Sequence, residues 1–213
     1  MGRLVVIEGL DGAGKRTLAE KLSAALAERG ASVGTRAFPR YGESTHADLV
    51  HDGLHGRLGG LGESAYGMAV LYALDRQGAL ADLQSDLRTH HVLLLDRYVA
   101  SNAAYGAARL HEDARGEFVR WVREIEIDRF GLPLPHAQLL LRVPARVAAE
   151  RSAHRERTET ARERDKWESD GDLQSRCGAV YDGLAADAWL SPWHVLDGTS
   201  TADFAALGDT LLG

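Results

Sequence analysis

Leu4-Val5-Val6-Ile7-Glu8-Gly9-Leu10-Asp11-Gly12-Ala13-Gly14-Lys15-Arg16-Thr17 stands at the head of the chain. Its four leading residues are apolar and rich in β-branching, the pattern of a short buried strand. Gly9 to Gly14 form a glycine-rich turn. From Lys15 to Arg29 the apolar residues Leu18, Leu22, Ala25 and Leu26 recur at helical spacing, and Gly30 is a natural C-terminal stop. Ser32 to Phe38 reads as a second strand, closed by Pro39. Strand, helix, strand is the unit from which parallel sheets are built.

The rest of the chain continues that alternation. Gly53, Gly56, Gly59, Gly60 and Gly62 crowd the segment 43–62, so a loop or broken helix is expected there. Residues 64–88 carry a helical apolar stripe. Val92-Leu93-Leu94-Leu95 has the composition of a central strand and ends in Asp96-Arg97-Tyr98. Two helices are expected over about 101–111 and 114–130, a strand over Gln138 to Val143, and a long, charged helical stretch from Arg146 to Asp187. Trp193-His194-Val195-Leu196 is a short last strand and 202–212 a closing helix. No repeat and no linker divides the chain. The expectation is one α/β domain over 1–213, with a five-stranded, mostly parallel sheet flanked by helices. Sites in such sheets lie beyond the C-terminal strand ends, which selects residues 9–17, 38–42, 96–105 and the segment after 143.

At the first of these, the chemistry is legible. A glycine turn lets backbone N–H groups face a phosphate without Cβ clashes, and the helix it opens adds positive partial charge. Lys15 supplies a mobile point charge. The usual phosphate loop has a hydroxyl directly after its lysine; here Arg16 intervenes and the hydroxyl is Thr17. Asp96, ending the central strand, can hold Mg²⁺ or orient a nucleophile if its strand neighbours the first. The plainer alternative for Asp96 is a helix N-cap or a structural ion pair. Arg97 offers a planar fork for phosphate. Tyr98 is expected to pack. Phe38-Pro39-Arg40-Tyr41-Gly42 leaves the second strand with two aromatics and an arginine, alone a weak signal.

Composition sets outer limits. The 213 residues carry 25 Lys+Arg against 31 Asp+Glu, a net charge of -6, which argues against a nucleic-acid polymer as partner. Residues 1–40 nevertheless hold seven basic groups against four acidic ones, so the acidic excess lies elsewhere. No apolar run reaches the ~18–20 residues of a membrane span. A single cysteine, Cys177, excludes an intrachain disulfide and suits the cytoplasm. His51 and His55, four apart, lack an evident third partner for a metal site.

The phosphate loop at 9–17, Phe38-Pro39-Arg40-Tyr41-Gly42, Asp75-Arg76, Asp96-Arg97-Tyr98, Ser101-Asn102-Ala103-Ala104-Tyr105 and Glu150-Arg151-Ser152 occur in this order over about residues 4–185. As a set they resemble the thymidylate kinases of the P-loop nucleoside monophosphate kinase group, above all the actinobacterial branch, where Gly-Lys-Arg-Thr also occurs. The resemblance implies a three-layer P-loop kinase fold and phosphorylation of dTMP to dTDP by Mg-ATP, through direct in-line transfer, in dTTP synthesis. It implies that Gly9, Gly12, Ala13, Gly14, Lys15, Arg16, Thr17 and Arg151 bind ATP. Phe38, Arg40, Tyr41 and Arg97 would surround the dTMP phosphate. Tyr72 would stack on thymine, where the family has Phe. Arg76 and Asn102 would bond the base edge, Tyr105 would lie against the sugar C2′, and Asp11 would reach the 3′-hydroxyl.

The same resemblance makes 146–168 a lid. Its run of arginines, by default a solvated charged face, would compensate for a phosphate loop with no arginine before Lys15. Arg155 is the first choice for the transition-state charge, with Arg151 second. Lys15, Asp11, Asp96 and Arg155 form the implied catalytic set, and Asp11, Asp96 and Glu168 the implied Mg²⁺ set. Trp167 replaces an expected Tyr. A homodimer is implied as well, with the stripe of 66–83 or the helices of 101–130 as its surface. Three other readings stay in view: a kinase for a different acceptor, a silent nucleotide-binding module, and a GTP switch. The last lacks its usual Asn-Lys-x-Asp motif, since the one asparagine, Asn102, precedes Ala103.

Overall fold

The computed structural model describes residues 1–158, 167, 170–200 and 202–213, with side chains over 155–158 left aside. Five strands form one sheet: β1 (Arg3–Glu8), β2 (Val33–Ala37), β3 (Val92–Asp96), β4 (Ala137–Arg142) and β5 (Trp193–Asp197), in the order β2-β3-β1-β4-β5. Every pairing is parallel, so the sheet is wholly rather than mostly parallel. β1, β3 and β4 occupy the centre. Leu4 to Ile7, Val92 to Leu95 and Leu139 to Leu141 are all buried, as strands covered on both faces require. The edge strands β2 and β5 are only half-buried, which is why their sequences mix polar with apolar residues.

α1 (Lys15–Glu28) starts from Gly14, whose φ of 102° is left-handed, and it buries Leu18, Leu22, Ala25 and Leu26 as their spacing predicts. Gly30, at φ 78°, ends it. The glycine-rich segment is the expected broken helix: α2 (Thr45–Leu54) and the short α3 (Gly60–Glu63). The stripe of 64–88 is two helices, α4 (Ala65–Gly78) and α5 (Leu80–Thr89), because the chain turns at buried Ala79. α6 (Val99–Arg109) follows β3 and is buried along most of its length. The helix expected over 114–130 is shorter: α7 (Glu117–Arg123), continued by a π-helical segment, Glu124–Arg129. α8 (Ala145–Thr158), α9 (Gly171–Ala186) and α10 (Phe204–Leu212) complete the chain. α1 packs on β1, β2, β3 and α10, while α9 packs on β4, β5 and α6, so helices flank the sheet. Among the described residues no helix is long and apolar enough to cross a membrane.

The register fixes where the chemistry meets. Ile7 lies level with Asp96, and Ala37 is also level with Asp96, so β1, β2 and β3 end together. The glycine turn, the Phe38 segment and the Asp96-Arg97 turn therefore emerge at one edge of the sheet.

Candidate active site

A cleft of about 1680 Å³ opens at that edge. The glycine turn forms its floor. Gly12 has φ 83°, and a Cβ there would sit 2.0 Å from the carbonyl oxygen of Ala148 in α8, so only glycine fits. Lys15 is buried and donates from Nζ to the carbonyls of Gly9 (3.1 Å) and Leu10 (3.0 Å). Burial, and next the positive charge of Arg97, lower its pKa to about 8, against the opposing pull of Asp11 and Asp96. Arg16 is exposed and pairs with Glu20 one turn on, while Thr17, also exposed, lines the cleft. Gly9 lies outside the lining. Arg151 of α8 donates to the carbonyls of Ala13 (3.2 Å) and Gly198 (3.0 Å), which ties α8 to the turn.

Opposite the turn lies the end of β3. Asp96 Oδ1 is enclosed and has no hydrogen-bond partner among the described residues. Arg97 has a left-handed backbone, φ 67°, a conformation that costs an arginine about 1–2 kcal/mol. Glu8 at the end of β1 holds that turn. Its fully buried carboxylate accepts from the backbone N–H of Tyr98 (2.9 Å) and of Ser101 (3.2 Å), the Ser101 hydroxyl, and the Tyr181 hydroxyl (2.9 Å). Burial, the largest influence, raises its pKa despite those bonds. α6 has no side-chain cap of its own, so Glu8 serves as one from another strand. Arg97 in turn donates to Ser101 Oγ (3.1 Å) and forms an ion pair with Asp11, whose second oxygen accepts from Tyr105 Oη (2.6 Å). Burial opposes ionisation of Asp11, but the charges of Arg97 and Lys15 and the Tyr105 bond hold its pKa below the usual carboxylate range.

The same cleft is also lined by aromatic rings, Arg76 and the Asn102 amide. Arg76 is fully buried and forks onto Glu126, with Nη2 to Oε1 at 2.8 Å and Nε to Oε2. Asn102 Nδ2 donates to the same Oε1 (2.8 Å) and to Ala69 O (3.1 Å). Tyr72 and Tyr105 face Trp167, with ring centres 6.2 and 6.4 Å apart, and Arg109 lies 4.4 Å over the same indole. Phe38 is buried against Tyr98, which packs as expected. Tyr41 is exposed at the rim, edge-on to His51. Arg40 lies outside the lining, because Asp75 holds it: Nε to Oδ1 at 2.9 Å, the backbone N–H to Oδ2 at 3.0 Å, and Nη2 to the Asp75 carbonyl at 2.6 Å.

The thymidylate kinase family model matches residues 7–191, a span that contains every side chain just described. The chain belongs to the thymidylate kinase family. It is 54% identical over 193 residues to the thymidylate kinase of Mycobacterium tuberculosis strain H37Rv, covering 91% of this chain and 90% of that protein. It is 33% identical over 229 residues to that of Xanthomonas oryzae pv. oryzae strain PXO99A, covering 100% of this chain and 87% of that protein. A probable thymidylate kinase of Thermococcus gammatolerans is 32% identical over 155 residues, covering 71% and 70%. Within the thymidylate kinase frame, Lys15, Asp11, Asp96, Arg97, Tyr72, Arg76, Asn102, Tyr105 and Arg151 all line one cleft. The side chain of Arg155, and the whole of Glu168, lie outside the described residues. Glu8 and Glu126 contribute to the site by hydrogen bonding across the fold, and no local spacing in the sequence marks them; Asp75 stands in the Asp75-Arg76 motif, but its hold on Arg40 is not legible there.

Proposed function

We propose that this thymidylate kinase family member phosphorylates dTMP to dTDP by in-line transfer from ATP, with the phosphate loop and the β3–α6 turn as donor and acceptor sides of one cleft. The observation that carries the reading is that Lys15, Asp11, Asp96 and Arg97 line the same cleft as Tyr72, Arg76 and Asn102, with Tyr105 joined to Asp11 by a hydrogen bond. The acceptor phosphate is already a nucleophile, so the protein's work is to bring two anions together and offset their repulsion. Lys15 gives its Nζ donors to the β/γ-phosphates in exchange for the loop carbonyls. Arg97, pinned by Asp11 and Ser101, presents its remaining N–H groups to the dTMP phosphate. Tyr105, bonded to Asp11, flanks the sugar.

Mg²⁺ fits here by one test: Asp96 Oδ1 is an enclosed acceptor without a partner, and Mg²⁺ ordinarily takes one or two carboxylates besides substrate phosphates. Asp11 and Glu168 are the other carboxylates assigned to it, although both Asp11 oxygens already accept from Arg97 and Tyr105. Mg²⁺ held there would supply positive charge to offset that of the substrate phosphates. Arg155 is the proposed lid arginine. A homodimer is proposed through the exposed Tyr66 and Val70 of α4, beside Trp121, and cytoplasmic location through the lone, buried Cys177.

The test is ADP release from Mg-ATP with a panel of acceptors. We expect dTMP to surpass dCMP, dGMP and free thymidine. Equal rates with any of these would overturn the assignment of acceptor.

A further inference from the structure

We propose that Glu126 is the specificity-determining positioning residue of the base site, fixing which groups of that site donate and which accept. The proposal rests on the reading of Arg76 and Asn102 as the residues at the base edge. It goes beyond that reading because it assigns the polarity of the edge and names what sets it. Glu126 lies in the π-helical segment after α7, is fully buried, and lines no part of the cleft. Its carboxylate does three things at once. Oε2 accepts from Arg76 Nε, and Oε1 accepts from both Arg76 Nη2 and Asn102 Nδ2.

The consequence for Asn102 is forced by chemistry. Its amide nitrogen faces two acceptors, Glu126 Oε1 and the carbonyl of Ala69. Reversing the amide would set an oxygen against both, a repulsive arrangement. Asn102 Oδ1 is therefore the atom left for the cleft, and it is an acceptor. Arg76, with Nε and one Nη2 hydrogen committed, has three N–H groups left and is a donor only. The edge thus shows a donor beside an acceptor. Thymine offers the complement, a carbonyl oxygen next to N3–H. Cytosine reverses it, with an amino group next to an unprotonated N3. Uracil matches thymine at this edge, so the 5-methyl group must be recognised elsewhere.

Glu126→Gln tests this, since glutamine has one acceptor where two are needed. With the amide nitrogen in the Oε1 position, Asn102 Nδ2 and Arg76 Nη2 both lose their acceptor; with it in the Oε2 position, Arg76 Nε loses its own, so the fork is broken either way. We expect the ratio of kcat/KM for dTMP over dCMP to fall about 10- to 100-fold, while dTMP over dUMP stays unchanged and KM for ATP is unaffected. Glu126→Asp keeps both acceptors and should retain the dTMP/dCMP ratio even if turnover drops. If Glu126→Gln lowers dTMP and dCMP kinetics in equal proportion, Glu126 is a structural residue only and the proposal fails. If Asn102→Ala keeps the wild-type dTMP/dCMP ratio, the underlying base-site reading fails instead. Should Glu126→Gln not fold, two measurements decide: the Glu126→Asp ratio, and the unaltered chain with N3-methyl-dTMP. A collapsed ratio in the first, or wild-type binding of the second, overturns the proposal.

Discussion

Lys15 shows how one buried side chain couples the site to pH. Its pKa, lowered to about 8 by burial and by Arg97, belongs to the nucleotide-free cleft. Phosphates arriving at Nζ favour the charged form and raise that pKa. The sign follows: below pH 8 the ammonium is already present, and above it ATP must bind together with a proton. We expect ATP affinity to decline as pH rises through about 8, with proton uptake on binding. Calorimetry in buffers of different ionisation heat measures that uptake, and Lys15→Met should abolish it. At this scale the sequence was most legible where chemistry is local. The glycine turn and its lysine announce themselves within nine residues. Arg76 and Asn102 were marked by family resemblance, but their shared dependence on Glu126 crosses 50 and 24 positions, and no periodicity encodes such a link.

α6 is where element-level design decides the geometry. The helix carries Asn102 and Tyr105, yet its N-terminus is capped from β1 by Glu8 rather than by a residue of its own. Glu8→Ala would strand the N–H groups of Tyr98 and Ser101 in the interior, at a cost of about 3 kcal/mol. We expect urea unfolding to show that loss, and kcat/KM for dTMP to fall with it, because the Arg97 turn loses its anchor. Retained activity in a destabilised variant would confine Glu8 to folding. Elements with one apolar stripe were readable: α1 buries the four residues its spacing selects. A break inside a continuous stripe was not: Gly78 ends α4 and the chain turns at buried Ala79, yet Leu80 and Leu83 carry the apolar spacing on into α5, where an isolated glycine alone does not announce a stop.

The whole molecule joins its glycine turn to α8 by direct contact. Gly12 lies so close to the Ala148 carbonyl that α8 leaves no room for a methyl group, and Arg151 adds bonds to Ala13 and Gly198. Gly12→Ala should displace α8 and raise KM for ATP by about tenfold or more, with a smaller effect on KM for dTMP; the opposite split would show that the turn serves the acceptor. The charge of -6 takes its place at this scale too, since the cationic groups converge on the cleft while the acidic excess is spread elsewhere. Fold class was legible because β1, β3 and β4 each carry an unbroken apolar run, Leu4–Ile7, Val92–Leu95 and Leu139–Leu141, whereas the strand order is not written in any one segment. That order has a bearing on synthesis. β1 leaves the ribosome first but sits in the middle of the sheet, between β3, which ends at residue 96, and β4, which ends at 142. At roughly 5–20 residues per second, its second neighbour emerges on the order of ten seconds later. Until then a sticky, unpaired strand must wait for partners encoded far downstream, and a nascent chain halted before β4 should be held by chaperones rather than fold.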